Sequence, residues 1–212
     1  FGLGLNACTA IRTKYFWYLI WFLPLGGVFI WFIYHQFGKS VANGMKMVFH
    51  VGLGKNTKLP IRMVPLAVIG TWTTHLFGGS AGREGVAVQI GAAVSNNVGR
   101  LVDKTIDIEN SRKMFLITGM AAGFSGLFCT PLAAIFFALE VLVAGKLEYH
   151  ALIPATVASI SAAFTSRALG LRKFHINILE TLNYHPSTYN AVFLLKLAAM
   201  GLCFGIVGTL FA

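Results

Sequence analysis

The chain has 212 residues, of which 56% are hydrophobic and only 11% charged, with a mean hydropathy of +0.71. Soluble domains carry about a quarter charged residues, so this one has too few to cover a water-facing surface and lipid is the expected solvent. The net charge of +10 does not indicate nucleic acid, because the 17 Lys and Arg residues stand mainly between apolar stretches (55–62, 99–104, 111–113 and 167–173), as juxtamembrane basic residues do.

The first predicted span is "YFWYLIWFLPLGGVFIWFIY" (15–34), uncharged and aromatic at both ends. Its length matches the ~20 residues that cross a bilayer core. Pro24 and the Gly26–Gly27 pair should bend it. A short helix is expected to begin near Gly44, with Asn43 as its cap. The stretch 63–82 is apolar again, dotted with Thr and Gly, and 83–100 has the small-residue spacing of a tightly packed membrane helix.

Residues 114–145 are too many for one crossing. Gly123, Gly126 and Pro131 divide them into two shorter helices meeting near Phe128–Pro131. A further helix is expected over 149–166 and another over 188–212, with polar loops at 101–112 and 167–187. No alternating strand pattern supports a barrel, so the expected fold is an all-α polytopic membrane protein. Phe1 is not a Met, and "GIVGTLFA" breaks off inside an apolar run, so both ends read as cut.

Short helices interrupted by Gly or Pro, with polar residues near the breaks, are how transporters build anion sites at free helix N-termini. The stretch "GGSAGREGVAVQIG" (78–91) places Arg83 and Glu84 among glycines at such a break. The glycines let the backbone expose its amides as a nest for an anion. A carboxylate there occupies the anion's place, and protonation would let it swing away, coupling a proton to an anion. The alternative is that Arg83 and Glu84 lie at the membrane–water boundary and cap a helix.

Other polar residues carry less. His75, near Thr73 and Thr74, reads as bonded to a neighbouring helix rather than as a proton relay. The two threonines read as bonding backbone carbonyls, and Gln89 as bonding across a helix interface. Cys8, Cys129 and Cys203 lack any metal-ligand or CxxC spacing. No metal site, cofactor loop or nucleophile–base pair is legible, so neither a cofactor nor an enzyme is expected.

The stretch "GGSAGREGVAVQIG" resembles the GREG motif of the CLC family of anion channels and anion/proton exchangers. Residues 119–141, "GMAAGFSGLFCTPLAAIFFALEV", resemble the family's following helix pair, and "HLFGGSAGREGVAVQ" is most similar to the bacterial fluoride/proton branch, CLC-F. The resemblance covers nearly the whole chain but only the first half of a CLC subunit. It implies the inverted-repeat fold with broken helices, first repeat only: residues 1–187 as the first half and 188–212 as the start of the second.

It also implies that Glu84 is the gate and proton carrier, framed by Gly82, Arg83, Gly85 and Val86, whose amides face the ion. Chloride members usually have Pro at the position of Val86. Gly44 and Met45 fall where chloride members carry a Gly-Ser-Gly-Ile-Pro stretch, which puts Met45 beside the anion, although Lys46 departs from the motif. Exchangers for chloride usually place an inner proton-relay glutamate where this chain has Val141, next to Glu140, which reads as the helix's aqueous end. The implied activity is fluoride/proton exchange in a bacterial inner membrane. The implied partners are fluoride or chloride, protons, the lipid bilayer, a second copy in a homodimer and the missing C-terminal half. Rival readings are a chloride/proton exchanger or chloride channel of the same fold, and a non-transporting half-subunit.

Overall fold

The computed structural model describes residues 1–55, 59–102, 111–143, 145–171 and 191–211. All regular structure among them is helical. The chain divides into two compact units, Phe1–Lys173 and Phe174–Ala212.

The first unit opens with α1 (Gly2–Lys14), which the sequence reading did not pick out. It packs against α5 (Met63–Leu76), where Gly4 leaves room for the Trp72 ring and the Trp72 indole donates to the Phe1 carbonyl at 3.2 Å. The apolar span at 16–37 consists of α2 (Phe16–Leu19), one 3-10 turn (Ile20–Phe22) and α3 (Leu23–Phe37). The tightening falls before Pro24, not at the glycines. Pro24 has no N–H for the carbonyl four residues back, and the Leu23 amide takes the Ile20 carbonyl instead. Trp17, Trp21 and Trp31 are 78%, 81% and 64% exposed on this span, an outward apolar surface suited to lipid.

Gly44 opens the short helix α4 (Gly44–Gly52) at φ +49°, a conformation that favours glycine. Asn43 precedes it but makes no side-chain cap. The glycine itself turns the chain into the helix, so the expected Asn cap does not form. The expected apolar segment 63–82 also ends early. Helix α5 stops at Leu76, Gly78 takes a left-handed φ of +86°, and the Gly79 amide closes the end on the Thr74 carbonyl at 2.8 Å.

The core of the unit is α7 (Ser111–Phe128), packed between α6 (Glu84–Val102) and α9 (Leu152–Ala168). Gly91 of α6 meets the Gly119 backbone of α7, and Gly123 meets Ala87, so the two helices touch main chain to main chain. Serines tie the helices together: Ser95 donates to the Phe115 carbonyl at 2.6 Å, Ser125 to the Ser159 carbonyl at 2.7 Å, and Ser159 to the Pro131 carbonyl at 2.9 Å. Close approach through small residues with interhelical hydroxyl bonds is how helices associate in lipid. The break at Phe128–Pro131 falls as expected, and α8 (Pro131–Glu140) begins on its proline. Cys129 between them adopts φ +54°. Helix α8 packs on α7 and α9, and a 3-10 turn (Tyr149–Ala151) leads into α9.

In the second unit α10 (Ala191–Phe211) is a single continuous apolar helix. Among the described residues, two stretches are long and apolar enough to cross a membrane: Phe16–Phe37, 22 residues, and Val192–Leu210, 19 residues. The expected loops at 101–112 and 167–187 fall largely outside the described residues.

Candidate functional site

The site is built where α5 ends and α6 begins. The Ala87 amide bonds the Arg83 carbonyl at 3.1 Å, which makes Arg83 the cap residue and Glu84 the first residue of α6. The exposed Glu84 side chain curls back over that end, and its Oε2 accepts the Arg83 backbone amide at 3.1 Å. The same oxygen lies 3.2 Å from where a Cβ on Gly82 would stand, so the carboxylate rests against the glycine. A free backbone N–H at the positive end of a helix is an anion site, and here the protein's own carboxylate fills it.

Arg83, adjacent to Glu84 in sequence, sends its guanidinium elsewhere, 5.9 Å over the Phe128 ring at the C-terminus of α7. That contact anchors the start of α6 to the turn before α8 by cation–π attraction. Gly85 faces open space. The loop between Phe77 and Arg83 is held from behind by His75, whose Nε2 bonds the Ala81 carbonyl at 3.0 Å. Since a carbonyl only accepts, Nε2 carries the proton. The histidine thus bonds this loop, not the neighbouring helix expected of it. Thr74 bonds the Gly70 carbonyl at 2.8 Å, as read for a backbone-bonding threonine.

Beside the loop opens a cavity of about 410 Å³. Gly44, Gly82 and Val86 line it together with Tyr34, Thr71, Thr74 and Gln89. The Gln89 amide nitrogen stands 3.5 Å from where a Cβ on Gly44 would be, so a glycine leaves that amide uncovered. Met45 is half-buried and packs against the hydrophobic core cluster, while exposed Lys46 follows it in the first turn of α4. The structure therefore joins Gly44, Gly82 and Val86 around one cavity and sets the Glu84 carboxylate against Gly82. It places Arg83 on Phe128 and Met45 among core side chains.

Tyr34 and Thr71 escaped the sequence reading. Gln89, read from the sequence as bonding across a helix interface, lines the cavity, three residues after Val86 on the same helix face. At the far end of α8, Glu140 is exposed and accepts the Gly145 amide at 3.3 Å, with Val141 following. Among the described residues, no group of three or more His, Cys, Asp or Glu side chains is placed to hold a metal ion.

Comparison with known proteins identifies relatives of the chain. A family model for the voltage gated chloride channel matches residues 26–212. Over all 212 residues the chain is 37% identical to a chloride/fluoride channel protein of Pseudomonas syringae pv. tomato, covering 45% of that protein. It is 32% identical over 157 residues to the H(+)/Cl(-) exchange transporter ClcA of Citrobacter koseri, which is 71% of this chain and 30% of the relative. Among solved structures, a CLC-type fluoride/proton antiporter aligns with 98% of this chain and 50% of its own, at 44% identity and a TM-score of 0.85. The chain spans about half the length or less of the relatives it matches.

Proposed function

We propose that this chain, which belongs to the voltage gated chloride channel (CLC) family of membrane transporters and channels, is the first inverted-repeat half of a fluoride/proton antiporter. Residues 1–187 form that half, and 188–212 begin the second. The observation that carries the reading is the Glu84 carboxylate seated on the Arg83 amide against Gly82, beside the cavity at Gly82 and Val86. A carboxylate in the anion's place blocks the path. Once protonated, Glu84 loses the charge that held it at the amide, swings out and carries its proton with it. The freed amides then receive the anion.

Fluoride is small and strongly hydrated, so donors must replace its water. The N-terminus of α6 and the Gln89 amide, left uncovered by Gly44, are donors suited to that task. The 44% identity to a solved fluoride/proton antiporter supports fluoride as the ion. Val86, Val141 and the Gly44–Met45 stretch, which depart from the chloride pattern, support it as well. Met45 then bears on the site through the placement of α4. The complete protein is a multi-pass bacterial inner-membrane homodimer, and it needs the C-terminal half to close the pore.

The test is ion-specific efflux from liposomes holding the full-length protein. Fluoride efflux with proton uptake, at least tenfold faster than chloride efflux, is the expected result. Equal or faster chloride efflux would assign the protein to chloride transport on the same fold. Absence of both fluxes would leave a non-transporting subunit.

A further inference from the structure

The geometry points to His75 as the positioning residue of the anion nest, acting through the Ala81–Gly82 peptide. His75 is the penultimate residue of α5, and its Nε2 donates to the Ala81 carbonyl at 3.0 Å. That carbonyl belongs to the peptide unit whose other end is the Gly82 N–H. A peptide is planar and trans, so fixing the direction of the C=O fixes the N–H on the opposite side. The bond also polarises the peptide and strengthens that N–H as a donor.

The loop needs such a fixture. Gly78 and Gly79 open it and Gly82 ends it, so its backbone is permissive where the site requires one orientation. On its α5 side the chain is pinned by the Gly79 amide on Thr74. On its α6 side the Arg83 amide is held by Glu84 itself, which must let go during transport. The His75 bond acts at Ala81, between those two ends, and does not involve Glu84. His75 also stands one residue after Thr74, which lines the same cavity as Ala81 and Gly82. The histidine is therefore poised to keep the Gly82 amide aimed while the carboxylate is absent.

This inference rests on the function proposed above, from which it takes the anion, the release of Glu84 and the proton coupling. The experiment compares His75→Gln with His75→Asn in the full-length protein. Both carry an amide head group, but only the glutamine side chain is long enough to put a donor where Nε2 stands. In liposomes, H75N is expected to raise the half-saturating fluoride concentration about fivefold, the scale of one hydrogen bond, and to lower the protons moved per fluoride. H75Q stays within twofold of native in both.

Hydrogen–deuterium exchange of the 76–86 peptide gives a second readout that needs no transport. Exchange in H75N is expected to be about tenfold faster than native, and in H75Q close to native. Equal behaviour of the two variants, whether both native-like or both damaged, would overturn the positioning role. Failure of the native protein to move fluoride would sink the parent reading instead, and the exchange comparison would still decide the role of His75.

Discussion

Gly91 and Gly119 hold the centre of the α6–α7 interface, and adding one methyl group there should be costly. A Cβ on Gly91 would meet the Gly119 carbonyl oxygen in hard collision, and would sit 3.0 Å from both the Gly119 carbonyl carbon and the Gly123 Cα. Carbon contacts relax at about 3.5–4.0 Å, so the helices must part by roughly 1 Å. These neighbours are backbone and have no alternative rotamer. A gap of that size forfeits a quarter to a half of each facing contact. Over roughly 40 atom pairs that amounts to about 2 kcal/mol. Straining the Ser95–Phe115 hydrogen bond, 2.6 Å across the same interface, adds about 1 kcal/mol.

Gly91→Ala should therefore destabilise the protein by about 3 kcal/mol, a fall of roughly 3–6 °C in Tm for a full-length protein about twice this length. Gly27→Ala is the control, because nothing lies within 4 Å of its added methyl. The assay is tryptophan-fluorescence melting of the full-length protein in detergent. If Gly91→Ala melts within 2 °C of native, or no lower than Gly27→Ala, the backbone-contact account of this interface is wrong.

Ser159→Ala removes the donor to the Pro131 carbonyl at 2.9 Å and should cost about 1 kcal/mol in the same melting assay. Gly78→Ala forces a methyl-bearing residue to φ +86° and should cost about 1–2 kcal/mol, with a Tm loss that a surface Gly→Ala elsewhere lacks. Gly44→Ala makes only ordinary contact, 3.5 Å from the Gln89 amide, but also must hold φ +49°. It should fold while fluoride flux falls severalfold, and unchanged flux would remove Gly44 and Gln89 from the path.

The breaks that sequence could show are those made by covalent chemistry. Pro131 starts α8 because it has no N–H to give, and the Gly–Ala–Ser spacing of 87–95 and 119–125 predicts close helices because nothing larger fits between them. Glu84 at the first turn of α6 followed from the glycines before it and the small apolar run after it. Contacts set by the path of a loop stayed hidden. His75 reaches Ala81 only because Gly78 reverses the chain at φ +86°, and nothing in the residue types predicts which carbonyl it meets. Asn43 looked like a cap, but the positive φ of Gly44 supplies the turn without its side chain. The same turn sets which way the first side chains of α4 point, and Met45 packs with the core cluster. Helix α1 was missed because its anchor is a tertiary one, the fit of Gly4 and Phe1 to Trp72.

The central claim is that Glu84 is both plug and proton carrier. Its most direct measurement is the simultaneous recording of fluoride and proton flux in liposomes holding the full-length protein, native against Glu84→Gln. A glutamine keeps the shape of the side chain but carries no titratable proton. The account predicts proton movement tied to fluoride in the native protein and at least a tenfold loss of protons moved per fluoride in the variant. Proton flux that stays coupled to fluoride in Glu84→Gln would contradict it.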